Sequence, residues 1–221
     1  MKIRDRLYAE ADERYREFNA NLTPGCDSII GVRMPVLRGM AKEIVKGDWR
    51  SFLDEPGPYM QEEKLLRGMV LADAPMDTEE RMSYLREHIP LIDNWAVCDS
   101  LIIRKKKDRC ALWDLALEYI DRPGEFEKRF AVVTMMRLMD EEHIDRIIEE
   151  FMRVRHDGYY LKMGVAWGLA ECFLKFPEKT LSALKDCDLD DFTFNKTLQK
   201  ITESHQVDAD TKTMIKKMKR K

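Results

Sequence analysis

Apolar residues along the chain recur three and four positions apart, the spacing that lines one face of an α-helix. Leu7, Tyr8, Ala11, Tyr15, Phe18 and Leu22 form the first such stripe and predict one helix over about Arg4 to Leu22. A Pro24-Gly25 break and a short apolar loop, SIIGVRMP, follow. Pro35 suits the opening turn of the next helix. That helix carries Val36, Leu37, Met40, Ala41, Ile44 and Val45 and closes at Gly47. Further punctuation falls at EPGP (55–58), Ala74-Pro75, Ile89-Pro90, Pro123-Gly124, Asp157-Gly158 and Phe176-Pro177. Two-residue alternation, the mark of a half-buried strand, never runs beyond a few positions.

The predicted helices come in pairs. The first member of each pair starts near Glu62, Asn94, Glu125, Tyr159 and Phe192, at intervals of 31–34 residues. The second members are TEERMSYLREH, DRCALWDLALEYI, EEHIDRIIEEFMRV, EKTLSALKD and ADTKTMIKKMKRK. A recurring unit of about 30–45 residues made of two helices is the signature of an α-solenoid. The expected fold class is therefore all-α, an α-α superhelix of degenerate HEAT-like helix pairs with a concave groove, in one domain over 1–221. An irregular helical bundle is the alternative.

Composition narrows the function classes. The 221 residues carry 38 Lys+Arg against 41 Asp+Glu, a net charge of −3, with 44% hydrophobic and 36% charged residues. This excludes a disordered chain, a collagen and a small disulfide scaffold. No stretch reaches 18 apolar residues, and the start, MKIRDRLYAEADERYREF, has no apolar core of a signal peptide. The five cysteines are an odd number with no CxxC, and several sit in apolar runs. They predict a reducing compartment, with the cytoplasm as default and no membrane. A pI near 5.9 argues against a wholly basic nucleic-acid binder but permits a local basic groove.

Four residues interrupt the apolar helix faces. Counted from helix starts at 94, 125 and 159, Trp95, Arg129, Asp99 and Trp167 take offsets 1, 4, 5 and 8, one helical stripe. Stacked in register, they would set two indoles, a carboxylate and a guanidinium on one wall. Each also has a plainer reading. The indoles could be core, Asp99 could cap a helix over DSLIIRKKKD, and Arg129 beside Lys128 could be a solvated pair. Basic candidates for phosphate contact include Arg33, Arg38, Arg104, Lys105, Lys106, Lys107, Arg109, Lys128, Lys162, Lys196 and Lys200, with RKKKDR (104–109) the densest run. The terminal KKMKRK reads as a solubilising tail. No HExxH or Cys/His spacing suggests a metal.

The segments IIGVRMPVLRGMAKEI, IDNWAVCDSL, FEKRFAVVTMM, YYLKMGVAWGLAECFLKFPEKTL and DFTFNKTLQKITESH resemble the bacterial DNA alkylation repair family of HEAT-like repeat proteins. The similarity runs from about Glu13 to His205. The resemblance implies a solenoid that holds duplex DNA. It also implies hydrolysis of the N-glycosidic bond of cationic N3- or N7-alkylated purines, without a cofactor, by a protein taken to be monomeric. The family's aromatic–acid–basic–aromatic site falls on Trp95, Asp99, Arg129 and Trp167. It makes Asp99, Trp95 and Trp167 the catalytic candidates. Arg129, Lys128, Arg104, Lys105, Lys106, Lys107 and Lys162 become the DNA-binding ones. A subgroup of the family lacks an N-terminal helix that contacts DNA near the lesion, and the single helix expected before SIIGVRMP resembles that subgroup. Three readings stay open: a glycosylase, a non-excising DNA-binding protein, and a protein-binding scaffold.

Overall fold

The computed structural model describes residues 2–221. The fold is all-α. Among the described residues the regular structure is fourteen α-helices and two short 3₁₀ turns, with no strand. They form two compact units, one ending at Ala111 and the other running from Leu112 to Lys221. Among the described residues no helix is long and apolar enough to cross a membrane.

The first unit begins with α1 (Ile3–Ala9) and α2 (Glu13–Leu22), followed by α3 (Met34–Lys46), α4 (Trp49–Leu53), α5 (Gln61–Asp73), α6 (Thr78–His88) and α7 (Trp95–Ser100). The 3₁₀ turns lie at Ile89–Leu91 and Lys106–Asp108, and α8 (Arg109–Ile120) follows. Helix α3 packs on α5 and α5 on α7, while α6 backs α5. In the second unit α9 (Glu125–Arg137), α11 (Tyr159–Lys175) and α13 (Asp191–Glu203) stack side by side. Helices α10 (Ile144–Arg153), α12 (Pro177–Lys185) and α14 (Ala209–Lys217) serve as their second members. Each unit thus has the expected helix-pair construction.

Local chemistry explains where the helices start. Asp48, Asp77, Asn94, Asp190 and Asp208 each accept a hydrogen bond from the backbone three residues on, satisfying an amide the helix cannot. Close approach is bought with glycine at Gly168, where a Cβ would sit 2.5 Å from the Phe151 ring.

The single helix expected over Arg4–Leu22 is instead two. Asp12 ends the run: its Oδ1 accepts from Tyr15 N at 3.1 Å, and its amide donates to Gly31 O at 3.0 Å. Arg33 clamps its other oxygen through Nε and Nη2 at 3.1 and 2.7 Å. The apolar stripe is broken with it. Leu7 is fully buried, but Tyr8, Phe18 and Leu22 are exposed. Helix α1 is docked by Arg4, which binds both oxygens of Glu63 at 2.9 and 2.7 Å. Two helices therefore precede the GVRMP segment.

The start of that segment, residues 29–32, is buried and held by one carboxylate. Glu62, 1% exposed, accepts from the amides of Ile30, Gly31 and Val32 at 2.9, 2.7 and 3.3 Å. Gly31 has φ +99°, and a Cβ there would lie 2.7 Å from both Asp12 O and Arg16 Cβ, so only glycine fits.

His88 is fully buried with neither ring nitrogen hydrogen-bonded. Burial first, then the charges of Arg67 and Lys64, push it down from 6.5 to about 3. The folded protein keeps this imidazole neutral where the unfolded chain takes a proton, so stability falls as pH drops from 6.5 towards 3. The loss approaches about 1.4 kcal/mol per pH unit inside that window. Urea midpoints measured from pH 7 to 4.5 should fall less steeply for His88→Met than for the natural chain. Parallel curves would show that His88 does not drive the acid loss.

Candidate functional site

Half of the four-residue stripe lies in the first unit. Asn94 launches α7 by accepting from Val97 N at 3.1 Å. Val97 and Cys98 turn into the core, each 2% exposed. Trp95 and Asp99 share the other face and are both half-buried. Trp95 is neither core nor a loose surface ring: its Nε1 donates to the carbonyl of Leu22, the last residue of α2, at 2.8 Å. Asp99 does not cap a helix over 99–108, because α7 stops at Ser100 and residues 101–105 are non-helical.

Just beyond Asp99, Ser100 and Ile102 line a cleft of about 590 Å³ that also takes in Arg38 and Lys42 of α3, Arg104 and Lys105. These four cations are exposed, and the carboxylate in the lining is Asp73. The RKKKDR run is a built platform and not a loose loop. Asp108 at its far end is fully buried against Arg81, and Lys107 Nζ donates to Met76 O at 2.8 Å. Arg104, Lys105 and Lys106 are left facing solvent. Lys42 was absent from the sequence candidates. Its place one turn after Arg38 on α3 is the signal that would have found it.

The other half lies in the second unit. Arg129 is 6% exposed, against the expectation of a solvent-open guanidinium. Its Nη1 donates to the Tyr160 carbonyl in the first turn of α11, and a Cβ at Gly164 would come within 3.1 Å of that nitrogen. The side chain fills the seam between α9 and α11 that the small Gly164 leaves open. Lys128 is half-buried and donates to the carbonyl of Ile120, the last residue of α8, at 2.9 Å. Lys162 lies 3.6 Å from Asp190. Partial burial lifts the Asp190 pKa, but the Thr193 hydroxyl and amide and the Lys162 ammonium outweigh it and hold it below the usual carboxylate range. Asp190 is therefore ionised near neutral pH and offsets Lys162. Trp167 is half-buried on α11, with Nε1 donating to Glu171 Oε1 at 3.2 Å. Glu125 accepts from the Tyr160 and Leu161 amides at 2.6 and 3.1 Å, closing the start of α11.

Neither indole is buried core, and the acid is half-open beside a basic cleft. Of the expected phosphate contacts, Arg104, Lys105 and Lys106 are exposed, whereas Arg129, Lys107, Lys128 and Lys162 are engaged by protein groups. Among the described residues no group of three or more His, Cys, Asp or Glu could hold a metal ion.

The family model described as DNA alkylation repair enzyme matches residues 3–190. No curated protein matches the chain.

Proposed function

Because the chain belongs to the DNA alkylation repair enzyme family, we propose that it binds duplex DNA and hydrolyses the N-glycosidic bond of cationic N3- or N7-alkylated purines. Alkylation makes the purine a good leaving group, and breaking its bond to C1′ builds positive charge on the deoxyribose. A carboxylate held near C1′ stabilises that charge and orients the attacking water, which is the role assigned to Asp99. Trp95 and Trp167 offer π faces to a cationic base or sugar, at about 0.5–2 kcal/mol each. Arg104, Lys105 and Lys106 meet the phosphate backbone and displace its counterions. Arg129 adds charge from beneath the surface and positions the start of α11. The reaction as proposed uses no cofactor.

One observation carries this reading: Trp95 and Asp99 share one half-exposed face of α7, and Ser100, the residue after Asp99, lines the cleft formed with Arg38, Lys42, Arg104 and Lys105. The two helices ahead of GVRMP also favour it over the subgroup with a shortened N-terminus. A non-excising DNA-binding protein is the second reading. It is favoured by the engagement of Arg129, Lys128 and Lys162 within the protein, which leaves fewer cations for a tightly held lesion.

The test is release of 3-methyladenine or 7-methylguanine from methylated duplex by the purified protein. No release at high protein excess, with salt-dependent duplex binding retained, would select the second reading. Absence of duplex binding even at low salt would leave a protein-binding scaffold.

A further inference from the structure

The last helix pair carries a second basic cleft, outside the residues that the family model matches. The segment after α14 is not a solubilising tail. Arg220 fastens it to α13: its Nη2 donates to Cys187 O at 2.7 Å, and its guanidinium stacks on Phe194 at 4.0 Å. The Asn195 side chain accepts from the Arg220 amide at 3.0 Å and donates to its carbonyl at 3.1 Å. This reciprocal pair holds residues 219–221 alongside α13. The cleft so made is about 530 Å³ and displays Lys196, Lys216, Lys219 and Lys221 around Phe192. The carboxylate in its lining, Asp191, lies 3.5 Å from Arg220, which offsets it.

Its aromatic content sets this cleft apart. Phe192 is 37% exposed, with Lys196 Nζ 5.9 Å from its ring centre. The Tyr159 ring, 55% exposed, lies 5.8 Å from Phe192, so a second exposed ring stands beside the one that lines the cleft. A duplex hides its base faces in the stack and could use the lysines alone. An unpaired strand presents base faces and phosphates together, and stacking plus cations is the chemistry that holds such a strand. We propose that Tyr159, Phe192 and the lysines at 196, 216, 219 and 221 form a binding site for unpaired nucleic acid. The site is distinct from the cleft beside Asp99 and does not depend on excision.

The experiment is fluorescence anisotropy of the full chain with labelled oligothymidylate, the matching oligouridylate and a blunt duplex of equal length, across a salt series. Phe192→Leu keeps an apolar side chain at an exposed position. It should weaken oligothymidylate binding by about 5- to 100-fold and leave duplex affinity within about twofold. Tyr159→Leu should act in the same direction. The double variant Lys219→Gln/Lys221→Gln should reduce the salt slope for the strand by about 0.7 per lost phosphate contact. Stronger binding of oligouridylate than oligothymidylate would identify the strand as RNA; the reverse would identify it as DNA. The proposal is overturned if neither strand binds at low salt, or if both ring variants bind oligothymidylate as the natural chain does. Equal losses for strand and duplex would reduce the cleft to a general backbone patch and overturn it too. Purine release is read separately, so an inactive glycosylase that still binds the strand through Phe192 would sink the excision reading alone.

Discussion

Replacing Asp108 with alanine is expected to destabilise the first unit by about 3–5 kcal/mol, the cost of stranding a buried charge. Arg81 and Asp108 are 1% and 0% exposed at the side chain, with Nε–Oδ2 at 2.7 Å. Thr78 Oγ1 donates to the other carboxylate oxygen at 2.6 Å. The remaining guanidinium nitrogens of Arg81 donate to the carbonyls of Leu71 and Ala74. Alanine at 108 leaves the guanidinium with its backbone acceptors but without the anion that offsets its charge. Urea denaturation measures the loss. The apolar double variant Arg81→Leu/Asp108→Leu should recover much of it, because a buried ion pair adds little over well-packed apolar groups. A single variant as stable as the natural chain would mean that the interior accepts an unpaired Arg81. There is a functional consequence as well. Asp108 anchors the run that presents Arg104, Lys105 and Lys106, so Asp108→Ala should also weaken duplex binding and reduce its salt slope.

The second large effect is catalytic. Asp99→Asn removes one negative charge and keeps the side chain's shape. At about 4 Å and an effective dielectric near 20, a carboxylate attracts a developing positive charge by roughly 4 kcal/mol. That corresponds to about a thousandfold in the rate of base release. The deoxyribose is neutral before the bond breaks, so the loss should fall on single-turnover rate and leave duplex affinity within a few-fold. Full activity in the variant would remove Asp99 from the chemistry. A loss of affinity without a loss of rate would make it a binding residue.

Much of the fold was legible in the chain because helix starts and stops are local events. The segment TEERMSYLREH is α6, Thr78–His88, bracketed by the Asp77 cap and Pro90. The first helices expected near Glu62, Asn94, Glu125, Tyr159 and Phe192 begin at Gln61, Trp95, Glu125, Tyr159 and Asp191. The failure over Arg4–Leu22 has a different origin. The stripe has a helical period throughout, but Asp12 is drawn out of the helix by Gly31 and Arg33, residues some twenty positions on. The KKMKRK segment reads as a tail by composition, and only Arg220 lying on Phe194 turns it into the wall of a cleft.

Periodicity, caps and breakers act over a turn or two of backbone, so the amino-acid sequence by itself determined most of the helices beyond Leu22 and the face of α7 shared by Trp95 and Asp99. Which cations reach solvent was decided by tertiary structure, because a charged side chain is claimed by whatever acceptor folding brings to it. Tyr160 O takes Arg129, Ile120 O takes Lys128 and Asp190 takes Lys162, while Arg38, Lys42, Arg104 and Lys105 open onto one cleft. Such acceptors lie on other helices, up to 31 residues away, beyond the reach of any local pattern.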